Sequence, residues 1–321
     1  MLSIIPVAGG KGGVGKTILT VNLGASLAKK GKTVILLDLD LGSSNLHTCL
    51  GIRNRFPGIG DFILDSSISL ESLIIETGIP RLYFIPGDAL VPGAANLAYF
   101  TKLRLLKELE GLVADYVFLD LAAGSAFNTL DFFLTSSSGL IVTTPEVTSI
   151  LNAYSFLKNT LYRLMYRSYR KGSSQREIIR AFSGKKVEED PTSFGTLMDQ
   201  LRAAEPEEFR QMKERLQSLY PRVVINMGRG QGDLAVGAKL RDITRKNLGL
   251  EMEYIGYIGW EPLMGRSVAE RTPLVISRPD IDASRNIDRL ADRLVRFGGY
   301  EKPRLYEADE DLQLLKENAE S

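Results

Sequence analysis

The chain of 321 residues is 44% apolar and 25% charged, enough to bury a full core and in the range of ordinary globular proteins. Its 40 Lys and Arg against 39 Asp and Glu leave a formal net charge of +1, which excludes a whole-molecule attraction to nucleic acid or anionic lipid and leaves only local patches. One cysteine, Cys49, and one histidine, His47, exclude an intramolecular disulfide, a thiolate cluster and a structural zinc site, and favour a reducing, cytoplasmic setting.

The N-terminal apolar run is too short for a signal peptide, and no segment approaches the roughly 18 apolar residues of a membrane span. Cys49 is expected to be a small buried residue and His47 a polar loop residue. Neither is assigned a role.

The first predicted strand, Ser3 to Ala8, runs directly into Gly9–Thr17, GGKGGVGKT, which opens a helix over Ile18 to Lys29. From Gly10 the spacing G-x-x-x-x-G-K-[ST] is complete, and its strand-loop-helix setting identifies a phosphate-binding loop. Gly10, Lys11, Gly12, Gly13, Val14, Gly15, Lys16, Thr17 and Ile18 are the expected cradle. Backbone N–H groups close on the phosphates, Lys16 reaches the β- and γ-phosphates, Thr17 can hold Mg²⁺, and the helix N-terminus favours the same anion. ATP and Mg²⁺ are the expected cofactors. Lys11 has two readings: a solvated surface lysine, or a second functional lysine.

A second strand, Thr33 to Leu37, is followed by Asp38-Leu39-Asp40-Leu41-Gly42-Ser43-Ser44-Asn45. Acids at the carboxyl end of a strand beside the phosphate loop can reach the metal and the γ-phosphate, and Asp40 could orient an attacking water. The alternative is that they cap or turn the chain. Strands follow at Leu82 to Pro86 and Tyr116 to Leu119, with a helix carrying Leu103, Leu106 and Leu109 between them. The run Tyr116-Val117-Phe118-Leu119 ends in Asp120, a form suited to a carboxylate that meets Mg²⁺ through water. Further strands are expected at Leu140 to Thr144, Arg222 to Asn226 and Met252 to Ile258.

These short, nearly continuous apolar strands separated by helices predict a doubly wound α/β fold, mainly parallel, with helices on both faces and a ligand at the carboxyl ends of the strands. Residues 1–299 are expected to form this domain. A mostly helical insertion at about 162–221 interrupts it, with a break at Glu188 to Thr192 and a charged helix from Pro206 to Leu219. Its first part carries Arg163, Arg167, Arg170, Lys171, Arg176, Arg180, Lys185 and Lys186 against Glu177, either as a solvated face or as a docking surface for an acidic partner, anionic lipid or DNA phosphate. The helix Asp282 to Phe297, with Ile287, Leu290 and Leu294, reads as core packing. Residues 300–321 form an acidic tail.

The string KGGVGKT resembles the deviant Walker A family of MinD and ParA, P-loop ATPases of the SIMIBI-like group. That resemblance implies that Lys11 crosses a dimer interface to the partner's nucleotide, making Lys11, Lys16 and Asp40 the catalytic set. D-x-D-x-G-x-x-N resembles the family's switch segment, with Asp40 positioning water and Asp38 beside the metal, so the implied metal set is Thr17, Asp38 and Asp120. Leu121-Ala122-Ala123-Gly124 resembles switch II, with the Gly124 N–H near the γ-phosphate. Thr143 to Ser149 resembles the segment leading into the helix that serves dimer and partner binding.

Asn226 falls where the family places an adenine-reading asparagine, though an Asn at a strand end is also a common turn residue. The family's usual Pro before an acid in the last nucleotide loop is replaced by Ile258-Gly259-Trp260-Glu261-Pro262. A single cysteine excludes the iron-sulfur carriers among the relatives. With the loop starting at Gly9, the activating extension of FlhG is not expected, and the acidic tail argues against a membrane-targeting helix of the MinD kind.

The function implied is an ATP-dependent, homodimerising switch that places a division, flagellar, polar or DNA-segregation machine, cytoplasmic or peripheral at the inner membrane or a cell pole. Its protein partner would dock at the dimer surface or the basic insertion. DNA or a membrane surface is left open as the scaffold, with the basic insertion as the one stretch that could meet either. The alternatives are a metabolic P-loop enzyme or metallochaperone acting on a small substrate, and a nucleotide-dependent scaffold with little hydrolysis.

Overall fold

The computed structural model describes residues 2–42, 44–53, 55–87, 97–183, 193–230, 232–297 and 309–320. Eight strands form one sheet: β1 (Ser3–Ala8), β2 (Val34–Leu39), β3 (Ile75–Glu76), β4 (Leu82–Ile85), β5 (Tyr116–Leu121), β6 (Leu140–Thr143), β7 (Arg222–Gly228) and β8 (Glu253–Gly259). Their order is β3-β4-β2-β5-β1-β6-β7-β8, parallel throughout except for β3 against β4. The expected doubly wound α/β layer is the one found. β3 is the strand that periodicity missed, because two residues are too few to show alternation.

Side chains on successive residues leave opposite faces of a strand, so each face needs its own cover. Val34 and Leu36 of β2, with Tyr116 and Phe118 of β5, pack on one side, where α1 (Lys16–Lys29), the short α2 (Leu46–Cys49) and two later helices lie. Ile35, Leu37 and Leu39, with Val117, Leu119 and Leu121, pack on the other. There α3 (Ile59–Leu64), α4 (Tyr99–Glu110), α5 (Phe127–Phe133) and α6 (Val147–Ser168) contribute. Of the stripe expected on α4, Leu109 is buried and Leu106 packs against the core, while Leu103 is exposed and Leu105 is buried in its stead. Cys49 is buried as expected, and His47 sits half-buried on α2 rather than in a loop.

Beyond the middle of α6 the chain adds α7 (Ser174–Ser183), α8 (Ser193–Ala204) and α9 (Pro206–Ser218). These close on the end of α6 around a separate apolar cluster of Tyr162, Met165, Ile179, Leu197, Leu201 and Met212. The break expected at Glu188–Thr192 and the lysines Lys185 and Lys186 lie outside the described residues. Two of the basic residues assigned to this region turn inward: Arg163 bonds the buried Asp131 through Nε at 2.7 Å and Nη2 at 2.8 Å, and Arg167 reaches it at 3.1 Å. Lys102 of α4 completes the cluster. The charges of Arg163 and Arg167 therefore serve packing against α5.

The remaining helices are α10 (Asp233–Leu248), α11 (Pro262–Ala269), α12 (Leu274–Ser277), α13 (Asp282–Phe297) and α14 (Glu310–Glu320). Ile287, Leu290 and Leu294 of α13 are core residues, as their spacing predicts. Among the described residues no helix is long and apolar enough to cross a membrane. The expected acidic tail is in part a docked helix. Leu312 and Leu315 of α14 are buried, and the guanidinium of Arg241, itself 2% exposed, bonds Asp309 and Asp311. Asp311 also accepts the Tyr254 N–H at 2.7 Å.

Removing the cation from such a buried pair leaves a desolvated carboxylate. Arg241→Ala should lower stability by about 3 kcal/mol or more, read as a fall in the urea midpoint, and pairing Arg241→Met with Asp311→Asn should recover part of the loss. A single variant as stable as wild type would show that α14 is not held by this pair.

Candidate nucleotide-binding site

The carboxyl ends of β1, β2 and β5 lie side by side, and the candidate residues gather there. The loop after β1 winds through Gly13 at φ 80° and Gly15 at φ 87°, left-handed conformations that L side chains rarely adopt. At Gly12 and Gly13 a Cβ would meet nothing within 4 Å, so the loop's outer side is open. At Gly10 a Cβ would collide with the backbone of Asn152 on α6, which fixes the glycine for packing rather than for phosphate approach. α1 begins at Lys16, two residues earlier than the sequence suggests, so Lys16 and Thr17 form its first turn. Lys16 is buried at 8% exposure.

β2 runs two residues past the expected end, and Asp38 is a buried strand residue rather than the start of a loop. In the β2–β5 register Asp38 stands directly opposite Asp120. Asp38 accepts hydrogen bonds from Ser44 Oγ at 2.6 Å, Leu46 N at 3.1 Å and Asp40 N at 3.1 Å, so both its oxygens are engaged in holding the loop that carries Asp40. Burial pushes its carboxyl up, those three bonds pull it down, and the Asp40 charge raises it again. Asp40 is half-buried, with no side-chain hydrogen bond among the described residues.

Asp120 is bonded by the Thr17 side chain and sits beside Lys16, yet its Oδ1 is buried with no hydrogen-bond partner. Burial and then the Asp38 charge push its carboxyl up to about 7, against the lowering effect of Thr17 and Lys16. An orphaned buried carboxylate oxygen next to a phosphate-loop threonine fits a hard cation that takes one or two protein oxygens. Thr17 and Asp120 therefore come together as expected, while Asp38 joins them through the register and the Asp40 loop. The Gly124 N–H departs from expectation. At φ 81° Gly124 turns its N–H back to donate to the Gly9 carbonyl at 3.2 Å, tying the loop after β5 to the phosphate loop.

Lys11 meets a partner that local sequence could not show. Its Nζ bonds Glu146 Oε2 at 2.6 Å and Thr148 Oγ1 at 3.3 Å, at the start of α6 and 135 residues away from Glu146 in the chain. The Lys11 bond holds the Glu146 carboxyl below its usual range.

On the other side of the loop, Asn226 Nδ2 donates to the Val14 carbonyl at 2.9 Å, and its Oδ1 has no hydrogen-bond partner among the described residues. Between Ile225↔Tyr257 and Gly228↔Gly259 the β7–β8 register shifts, with two residues on β7 facing one on β8. This irregularity puts Asn226 and Met227, the latter at φ 58°, at the rim of a cavity of about 380 Å³. Ile18, Leu19, Ile258, Trp260 and Met264 supply apolar walls.

A family model described as the CobQ/CobB/MinD/ParA nucleotide binding domain matches residues 5–275. The chain belongs to that family. The septum site-determining protein MinD of Synechocystis is 34% identical over 154 residues, 48% of this chain and 57% of the relative. The flagellum site-determining protein YlxH of Helicobacter pylori is 35% identical over 159 residues, 48% of this chain and 52% of the relative. The chain thus spans about half the length of the curated relatives it matches. Among solved structures, the Pyrococcus horikoshii septum site-determining protein MinD complexed with Mg-ADP superimposes with a TM-score of 0.64 at 20% identity, covering 93% of this chain and 98% of that one. Aquifex aeolicus MinD gives 0.58 at 25% identity, covering 95% and 100%. The family's fold therefore extends over nearly the whole chain, while the pairwise matches to these relatives cover about half of it.

In the unfolded chain Asp120 would titrate near 4, and in the folded chain at about 7. The fold binds this proton more tightly, so the stability it confers is complete below about pH 4 and is lost as pH rises to about 7. Asp120→Asn cannot ionise. In EDTA and without nucleotide, its urea midpoint should exceed that of wild type at pH 8, with the gap narrowing toward pH 5. A gap independent of pH would refute the account of Asp120 as a buried, unbalanced charge.

Proposed function

We propose that this chain is an ATP-dependent switch ATPase of the MinD/ParA type, which dimerises with ATP bound and so positions or regulates a cellular machine. The observation that carries the reading is the juxtaposition of Lys16, Thr17 and the orphaned Oδ1 of Asp120 under an open glycine loop. Thr17 and Asp120 would hold Mg²⁺, whose chemistry is to neutralise charge on the phosphates. Lys16 adds charge-assisted hydrogen bonds to the β- and γ-phosphates. The loop held by Asp38 presents the unbonded Asp40 carboxylate, which orients the attacking water. Asn226, with an acceptor free, suits an adenine amino group, and its amide bond to Val14 ties the base side to the phosphate loop.

Lys11 supports the dimer reading through its position and the weakness of its tie. Lys11 is 29% and Glu146 65% exposed, and such surface pairs contribute about 0 to 1 kcal/mol. A phosphate brought by a second copy can displace Glu146 at little cost. We place the partner-binding surface at this face, around Glu146 to Asn152, rather than on the basic helices, because Arg163 and Arg167 are already paired with Asp131. The names of the relatives, which determine septum or flagellum sites, support a spatial task of this kind, with the molecule in the cytoplasm or peripheral at the inner membrane or a pole.

Three variants separate the roles. Lys16→Ala should bind a fluorescent ATP analogue at least about tenfold more weakly, given the strength of hydrogen bonds to charged groups. Asp40→Ala should bind ATP, turn it over about 100-fold more slowly and accumulate as a dimer. Lys11→Ala should bind ATP yet stay monomeric by size exclusion with light scattering. Undiminished binding by Lys16→Ala would overturn the nucleotide assignment, and a normal dimer from Lys11→Ala would overturn the switch.

A further inference from the structure

The base-side cavity has a wall that the family pattern does not account for. Trp260 is the chain's only tryptophan, and it stands in the loop where a proline before an acid is usual. Its backbone is clamped from both directions. The Trp260 N–H donates to the Gly228 carbonyl at 2.7 Å, which locks the ends of β7 and β8 together. The next residue, Glu261, caps α11 by accepting the Leu263 N–H on Oε1 at 2.9 Å, which fixes the chain on the other side of the ring.

The side chain is treated differently from the backbone. Trp260 is 57% exposed, and among the described residues its ring has no aromatic or cationic contact and its indole N–H no hydrogen bond. An indole would ordinarily be buried for its area or bonded through its N–H. Here a rigid backbone holds an unburied indole at the mouth of a cavity whose other walls include Ile18, Leu19, Met227 and Met264. The polar side chains on that cavity are Asn226, on the strand facing Trp260 across the β7–β8 irregularity, and Glu261.

We propose that Trp260 is a base-stacking residue: its indole covers the outer face of the purine of the bound nucleotide, with the aliphatic and methionine side chains against the inner face. This rests on the nucleotide reading above and deepens it, since stacking supplies affinity through the π-face while Asn226 supplies the hydrogen bond. Apolar walls with a few polar groups, here the Asn226 amide and the Glu261 carboxyl, are the form of a site that binds a flat heteroaromatic group. Phosphate binding does not involve Trp260, so affinity for phosphate alone and affinity for the whole nucleotide respond to it differently.

Because the chain has one tryptophan, its emission on excitation beyond the tyrosine absorption band reports on this residue alone. Emission of the full chain is followed during titration with Mg-ADP and, separately, with Mg-tripolyphosphate, which offers phosphates without a base. Binding is measured independently by equilibrium dialysis. Mg-ADP should quench or shift the emission, and tripolyphosphate should bind without doing so. Trp260→Ala should bind Mg-ADP on the order of tenfold more weakly, Trp260→Phe should keep most of the affinity, and both should hold tripolyphosphate as wild type does. That last arm shows that the variants are folded with an intact phosphate loop.

Wild-type ADP affinity in Trp260→Ala, or unchanged emission when dialysis shows ADP bound, would overturn the stacking role and leave the nucleotide site standing. Wild-type protein that binds neither ADP nor tripolyphosphate would overturn the nucleotide reading itself.

Discussion

The site depends on two carboxylates that the sheet forces together. Parallel pairing of β2 with β5 puts Asp38 opposite Asp120, both buried, and two bare negative charges so placed could not both persist without compensation. The fold resolves the conflict unequally. Asp38 receives three hydrogen bonds from the loop running from Asp40 to Leu46, and so becomes the anchor of that loop. Asp120 receives one from Thr17 and the field of Lys16, and keeps an oxygen unbonded. The unbalanced acid is the one beside the phosphate loop. A protein that binds a cation there recovers in the bound state what it gives up in stability when empty.

The same imbalance explains which parts of the site were legible in the sequence. The phosphate loop was readable because its chemistry is local: glycine conformations and the first turn of α1 lie within nine residues, Gly9 to Thr17, and no distant contact decides them. Asp120 was readable as an acid closing an apolar strand. The separate roles of Asp38 and Asp120 were not, since only the strand register shows that one is saturated and the other is not. The pairing of Lys11 with Glu146 is set by the approach of α6, seen also where Gly10 touches Asn152. Nothing near Lys11 in the chain signals it.

Outside the site the misreadings have related physical causes. Arg163 and Arg167 looked like a solvated or docking charge because sequence shows the cations of α6 but not the buried Asp131 that α5 turns toward them. The tail was read through its charge because its seven acids stand against three bases, Lys302, Arg304 and Lys316. Its docking turns on two leucines one helical turn apart and on a single arginine from α10. In α4 the expected stripe holds at Leu106 and Leu109, and tertiary packing takes Leu105 in place of Leu103.

The two halves of the site are joined by backbone as well as by proximity. Gly124 returns a hydrogen bond to Gly9, Asn226 returns one to Val14, and Gly10 packs on α6. The phosphate loop is therefore touched by the loop after β5, by the end of β7 and by the helix that holds Lys11. Two of these contacts involve a residue with little room to adjust: a buried amide, and a glycine with no room for a Cβ. A change at the phosphates must displace these elements together or not at all, since packed elements shift between discrete arrangements rather than deform continuously. The weak member is the exposed Lys11–Glu146 pair, which costs about 1 kcal/mol or less to open, so it is the contact a nucleotide-driven rearrangement can break first.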